Sequence, residues 1–207
     1  ITASYQGKNA GTFGISGCFS MHPLKNLNVW GDGGVICTSD EVFLNKVRLL
    51  RNHGLADRDT CEIFGYNSRL DTIQSVIANH MLDKLDFISH SRIKNAGFLD
   101  KNLKDLKEVF IPERNIKDIR QVYHIYSLLF EKRDELKLYL NSKGIDAKIH
   151  YPIPMHLQPA AKGYGHKIGD FPVAEMTCKK TLSLPVHEFI TQEQLNLMVK
   201  EIKSFYA

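Results

Sequence analysis

Lys25 is the residue of this 207-residue chain whose setting best suits covalent chemistry. It lies on a short segment between two apolar runs, 17–21 and 33–38, each of which reads as a buried strand. Gly31-Asp32-Gly33-Gly34 supplies the turn signal before the second run. A lysine amine titrates near ~10.4 in water, so at neutral pH only about one in a thousand is a free nucleophile. Schiff-base chemistry therefore needs a lysine that is held in place and partly withdrawn from water. Pro23 limits the backbone just before Lys25, and the glycines after it let a flat cofactor come close. A solvated surface lysine beside a hairpin turn has the same spacing, so the pattern alone leaves both readings open.

The elements that would position this lysine follow from periodicity. Residues 1–16 read as loop with a short strand leading into the lysine strand. Asp40 is a plausible cap for an amphipathic helix over 41–51, where Phe43, Val47 and Leu50 recur at helical spacing, and Gly54 suits its stop. Residues 55–68 form a long irregular loop, either functional or simply a surface connection. Leu70, Ile73, Ile77, Met81, Leu85 and Ile88 then mark one long helix, with a helical pattern resuming over 93–106. Beyond it strand and helix alternate: strands over 109–112, 122–130 and 145–151, and helices over 133–142 and 192–206. That order predicts a small α/β domain over 108–207, following a larger portion over 1–107.

Composition narrows the function classes. With 27 Lys and Arg against 23 Asp and Glu, the formal charge is +4, and the two signs are interspersed without a basic run. Nucleic-acid binding has no support in that pattern. The four cysteines are far apart and form no Cys-x-x-Cys pair, which argues against a zinc ribbon or a disulfide framework and suits a reducing cytoplasm. No metal-ligand spacing and no apolar run of about 20 residues for a membrane helix is present.

Several blocks then share one resemblance. Ser20-Met21-His22-Pro23-Leu24-Lys25-Asn26 with Gly31-Asp32-Gly33-Gly34, Arg51-Asn52-His53-Gly54, Gly65-Tyr66-Asn67-Ser68-Arg69-Leu70-Asp71, His150-Tyr151-Pro152 with Met155-His156-Leu157-Gln158-Pro159, and Leu182-Ser183-Leu184-Pro185 occur in this order. Together they resemble the DegT/DnrJ-type sugar aminotransferases, pyridoxal-phosphate (PLP) enzymes of the aspartate aminotransferase fold. The resemblance implies an α/β architecture: the carboxy-terminal portion of a PLP-dependent transferase large domain, followed by a small α/β domain. It implies Lys25 as the Schiff-base lysine, Ser20 on the cofactor phosphate, and Asn67 reaching the phosphate of a neighbouring subunit in a homodimer. His150, Tyr151 and His156 fall where such enzymes build the mouth of the pocket for a nucleotide-linked keto-sugar, with glutamate as the expected amino donor.

In that family the segment matching Ile1 to Lys8 follows a strand whose aspartate pairs with the pyridine nitrogen. The chain therefore reads as the carboxy-terminal part of a longer enzyme, not competent alone. Two rival readings stand beside the aminotransferase. One is a PLP-dependent sugar dehydratase, in whose members a histidine typically replaces the lysine. The other is a non-catalytic binding or regulatory remnant of the same fold.

Overall fold

The computed structural model describes residues 1–114 and 116–207. Its first elements are β1 (Ser4–Tyr5), β2 (Lys8–Asn9), β3 (Ser16–Ser20), β4 (Gly34–Thr38), α1 (Glu41–Leu50), α2 (Thr72–Leu82) and α3 (Leu85–Leu103). They are followed by β5 (Val109–Phe110), β6 (Ile119–Arg120), β7 (Tyr126–Phe130), α4 (Arg133–Ser142), α5 (Pro172–Lys180), β8 (Thr181–Leu184) and α6 (Gln192–Tyr206). The architecture is mixed α/β, as expected. These elements pack as two units, Ile1–His90 with Ile116–Val122, and Ser91–Asn115 with Tyr123–Ala207. The packing thus divides within α3 and not at the 107/108 boundary expected from sequence. The reason lies in the second half of that helix, where Ala96, Leu99 and Leu103 are fully buried in the core of the second unit.

In the first unit β3 and β4 form an antiparallel pair with Ser20 opposite Gly34 and Ser16 opposite Thr38. The strands predicted on either side of Lys25 are therefore present and hydrogen-bonded to each other, but they are not buried as expected: β4 is exposed over Gly34 to Cys37, and in β3 only Gly17 is buried. β1 lies between β2 and β6 in a separate three-stranded antiparallel sheet. Asp40 caps α1 by accepting from the Phe43 amide at 2.7 Å, and Gly54, at φ +76°, ends that turn by donating to the Leu49 carbonyl. An added Cβ at Gly54 would fall 1.5 Å from the Ile63 carbonyl oxygen, so no larger residue fits there. The apolar core of this unit is the small cluster Met21, Leu27, Val29, Ala78 and Leu85.

The long helix predicted from Leu70 is two helices, broken at Asp83 and Lys84. The apolar row Ile77, Met81, Leu85 hides the break, because a two-residue turn returns the chain to the same face. α3 then runs without interruption through 89–92, where the periodicity predicted a gap.

The second unit is built on the antiparallel sheet β5-β7-β8. In β7 the alternation is strict: Tyr126, Leu128 and Phe130 are buried and their neighbours less so. α4 and α6 span the predicted residues, and α6 starts with a capping box in which Thr191 and Gln194 bond each other's backbone amides. The strand predicted over 122–130 starts only at Tyr126, since Tyr123 takes a left-handed backbone, φ +47°. The strand predicted over 145–151 is absent: its pairing shrinks to one bridge between Lys148 and Ser183. Tyr151, at φ +71° and followed by Pro152, turns the chain away before a ladder can form.

Candidate functional site

The loop from Met21 to Trp30 is fixed mostly by its own backbone. The Met21 amide donates to the Gly33 carbonyl at 2.8 Å, and the Val29 amide returns to the Met21 carbonyl at 2.9 Å. Gln74 clasps the far end, accepting from the Trp30 amide and donating to the Trp30 carbonyl. Gly33 must be glycine for packing reasons: a Cβ there would lie 2.9 Å from Val29 Cγ2 and 3.2 Å from Leu70 Cδ1.

Lys25 sits inside this loop and is partly buried. His22 links it to Ser20. The His22 amide donates to Ser20 Oγ at 3.3 Å, and the Lys25 amide donates to the His22 carbonyl at 2.8 Å. The Lys25 carbonyl accepts in turn from Asn28 Nδ2. A hydrogen-bonded path through His22 thus connects the two residues predicted to share a cofactor, Ser20 at the end of β3 and Lys25 in the loop.

Asn26 was missed as a functional candidate, though it is adjacent to the lysine. It is buried, and its Nδ2 donates to the Val122 carbonyl at 3.0 Å, while its Oδ1 has no partner among the described residues. The only sequence signal was its place between Lys25 and Leu27 in a short loop. The side chain ties the lysine loop to the segment 116–122 of its own unit.

Asn67 lies at the end of the long loop and is exposed. Its backbone bridges to Asn52, and its Oδ1 accepts from Arg69 Nε at 3.1 Å. The loop has no helix or strand, yet it is pinned. The Tyr66 amide donates to the Leu50 carbonyl, and the His53 amide to the Tyr66 carbonyl. Asp57 accepts from the Asp59 and Thr60 amides, and these bonds hold its carboxyl below the ordinary carboxylate range.

The other three predicted residues belong to the second unit. Tyr151 and His156 line a cavity of about 640 Å³ together with Ile153, Met155, Phe171 and Cys178. His150 is instead bonded through Nδ1 to Ser183 Oγ at 2.8 Å. His156 is partly buried and its Nε2 lies 3.0 Å from Glu175 Oε1. Glu175, on α5, also accepts from the Gly169 amide at 2.7 Å. That bond, helped by His156 and the Phe171 amide and opposed by burial, holds its carboxyl below the ordinary range. α5 and Glu175 were not foreseen, although Pro172 at the first helical position was a usable signal.

Among the described residues no three His, Cys, Asp or Glu side chains are grouped to hold a metal ion. Among the described residues, no helix is long and apolar enough to cross a membrane.

A partly buried lysine, and a serine hydroxyl at the end of β3 joined to it through His22, are groups that fit an aldehyde cofactor bearing a phosphate. Comparison with known proteins points the same way. A protein of Geobacillus stearothermophilus named "Pleiotropic regulatory protein" is 36% identical over all 207 residues, which are 56% of its own length. The UDP-N-acetyl-3-dehydro-alpha-D-glucosamine 3-aminotransferase of Acidithiobacillus ferrooxidans is 37% identical over 94% of this chain and 52% of its own. Among solved structures, DesV of S. venezuelae in complex with a ketimine intermediate superposes with a TM-score of 0.93 at 33% identity, covering 98% of this chain and 54% of that one. The chain therefore spans about half the length of the curated relatives it matches. The model of the DegT/DnrJ/EryC1/StrS aminotransferase family matches residues 1–203, and this chain belongs to that family.

Proposed function

We propose that the protein carrying this chain is a PLP-dependent aminotransferase that moves an amino group, with glutamate as donor, onto the keto group of a nucleotide-linked deoxysugar. Family membership and the sugar-aminotransferase names of relatives support the reaction class. The single observation that carries the reading is Lys25, partly buried in a loop that is hydrogen-bonded through His22 to Ser20 at the end of β3. When bound, PLP supplies an electron sink for the carbon that loses or gains the amino group. Lys25 Nζ anchors the cofactor and afterwards carries a proton to or from that carbon. The Ser20 hydroxyl holds phosphate. Asn67 serves the phosphate of a partner subunit, which makes the working unit a homodimer.

Tyr151, His156 and His150 are this chain's proposed contacts to the nucleotide-linked sugar. The apolar walls of the cavity beside Tyr151 and His156 suit a substrate lacking some of its hydroxyls.

The test is reduction with borohydride after adding PLP to the full-length protein. A yellow species that becomes a stable adduct on the peptide containing Lys25 is expected. Absence of any adduct at Lys25 overturns the reading. It would favour the regulatory alternative, which the printed name of the Geobacillus stearothermophilus relative suggests for that protein.

A further inference from the structure

We propose that Glu175 is a positioning residue for substrate binding: one carboxylate oxygen sets the cavity wall formed by His156 and Phe171. This rests on the reading of that cavity as the sugar-nucleotide site. Glu175 lies in the first turn of α5 and is buried, yet it is not among the residues lining the cavity. Its Oε1 draws together three separate points of the chain. His156 Nε2 lies at 3.0 Å, the Gly169 amide donates at 2.7 Å and the Phe171 amide at 3.5 Å. The 165–171 segment and the 155–157 turn have no ladder between them to fix their spacing, so this shared acceptor takes that role.

The rings it orients are stacked in sequence. His156 and Phe171 have centroids 4.7 Å apart, and Phe171 meets His166 edge-on at 5.1 Å. His166 is itself braced by Asp170, 3.5 Å away. Both His156 and Phe171 face the cavity. Moving the acceptor therefore moves a ring and an imidazole that a ligand would touch, while the reacting amine of Lys25 is unaltered.

The experiment compares Glu175→Gln and Glu175→Ala in the full-length enzyme loaded with PLP. It measures kcat and KM for the keto-sugar nucleotide and, by calorimetry, the affinity of the cofactor-free protein for dTDP-glucose and UDP-N-acetylglucosamine. A glutamine keeps Oε1 as an acceptor for all three donors, so KM and probe affinity should remain within about twofold of wild type. Alanine removes the acceptor, so KM and the probe Kd should rise about tenfold with kcat little changed. Phe171→Ala, which leaves the carboxylate in place, should give a similar rise even if Glu175→Ala fails to fold. Glu201→Gln is the control, because Glu201 is also buried and bonded, to the Tyr139 hydroxyl, but is absent from the cavity lining. Its binding constants should equal those of wild type. Unchanged KM and Kd in Glu175→Ala, or a glutamine as damaging as alanine, overturns the proposal. A wild-type protein that binds neither probe and turns over no keto-sugar overturns the functional reading first.

Discussion

The lysine loop of the first unit and the core of the second are held by different means. The second has a large apolar core in which Leu128, Phe130, Leu136, Leu182 and Ile202 are wholly buried, and its cavity is a departure from that core's regularity. The first has only a small apolar cluster, and Trp30 and Phe64 stand in solvent. Its lysine loop is held by backbone hydrogen bonds, a glutamine clasp and one buried asparagine. Apolar packing tolerates volume-conserving change, whereas a polar anchor loses its geometry once its partner is removed. Substitutions near Lys25 should therefore disturb alignment more than global stability, and substitutions in the apolar core of the second unit the reverse.

The largest expected effect tests the chemistry of the first unit. Lys25→Arg keeps the charge but removes the condensing amine, so turnover in the full-length enzyme should fall by about a thousandfold or more. Mass detection of the aminated sugar nucleotide reads this directly, and turnover that survives would break the assignment of Lys25. In the second unit Leu128→Ala opens a cavity at a wholly buried side chain of β7. It should cost about 2–5 kcal/mol, read as a lowered denaturant midpoint. A cost near zero would mean that the core does not carry this unit.

The same contrast explains what could be read from the sequence. α1 and α6 were legible because capping residues and apolar periodicity agree locally: Asp40 before Phe43, and Thr191 before Leu195. α4 has no side-chain cap and was legible from its periodicity and the closing Gly144. The lysine loop was legible because its flanking strands are short apolar runs closed by glycines. Left-handed residues were not. Tyr123 and Tyr151 sit at positive φ without being glycine or asparagine, so nothing in their type warned that two predicted strands would be cut short. Long-range anchors were illegible for a related reason. Asn26 to Val122, and Glu175 to His156, pair residues far apart in sequence, and a lone asparagine or glutamate carries no mark of its distant partner.

Asn26→Ala sharpens the comparison at the next level. It leaves the Val122 carbonyl buried without its donor, and should cost about 1–3 kcal/mol in thermal unfolding. The reduced-adduct yield at Lys25 should fall as well, because the loop loses its tie to the 116–122 segment. Loss of stability with undiminished trapping would show that Asn26 serves the fold only.

High pH should act on the second unit. Burial, then the bond its hydroxyl donates to Asp100 Oδ1 at 2.6 Å, push the Tyr126 phenol well above its ordinary value of 10.0, with Arg114 opposing. The unfolded chain releases that proton near pH 10 while the folded chain keeps it. The contribution of Tyr126 to stability is thus complete below pH 10 and is lost as pH rises further, by up to about 1.4 kcal/mol per pH unit. Tyr123 and Tyr206 are raised by burial too and act with the same sign, so the measurement is a difference. Urea unfolding of Tyr126→Phe should show a shallower alkaline slope than wild type. Equal slopes would mean that the phenol titrates normally in the folded protein.

The smallest effect is expected where an aromatic ring contributes nothing to packing. Phe64 lies in the long loop of the first unit and is fully exposed, between Ile63 and Gly65, whose backbones carry the local bonds and close contacts. Its counterpart for comparison is Phe130, wholly buried in β7. Phe130→Ala should cost about 3–5 kcal/mol by cavity formation, whereas Phe64→Ser should change stability by less than about 0.5 kcal/mol. Thermal unfolding of the 207-residue chain and of the full-length protein, each with and without Phe64→Ser, separates two sources of any larger cost. A loss seen in both would place the ring in a core that this fold does not contain. A loss confined to the full-length protein would mark the ring as covered there by other residues, and the openness of the first unit as a property of this chain alone.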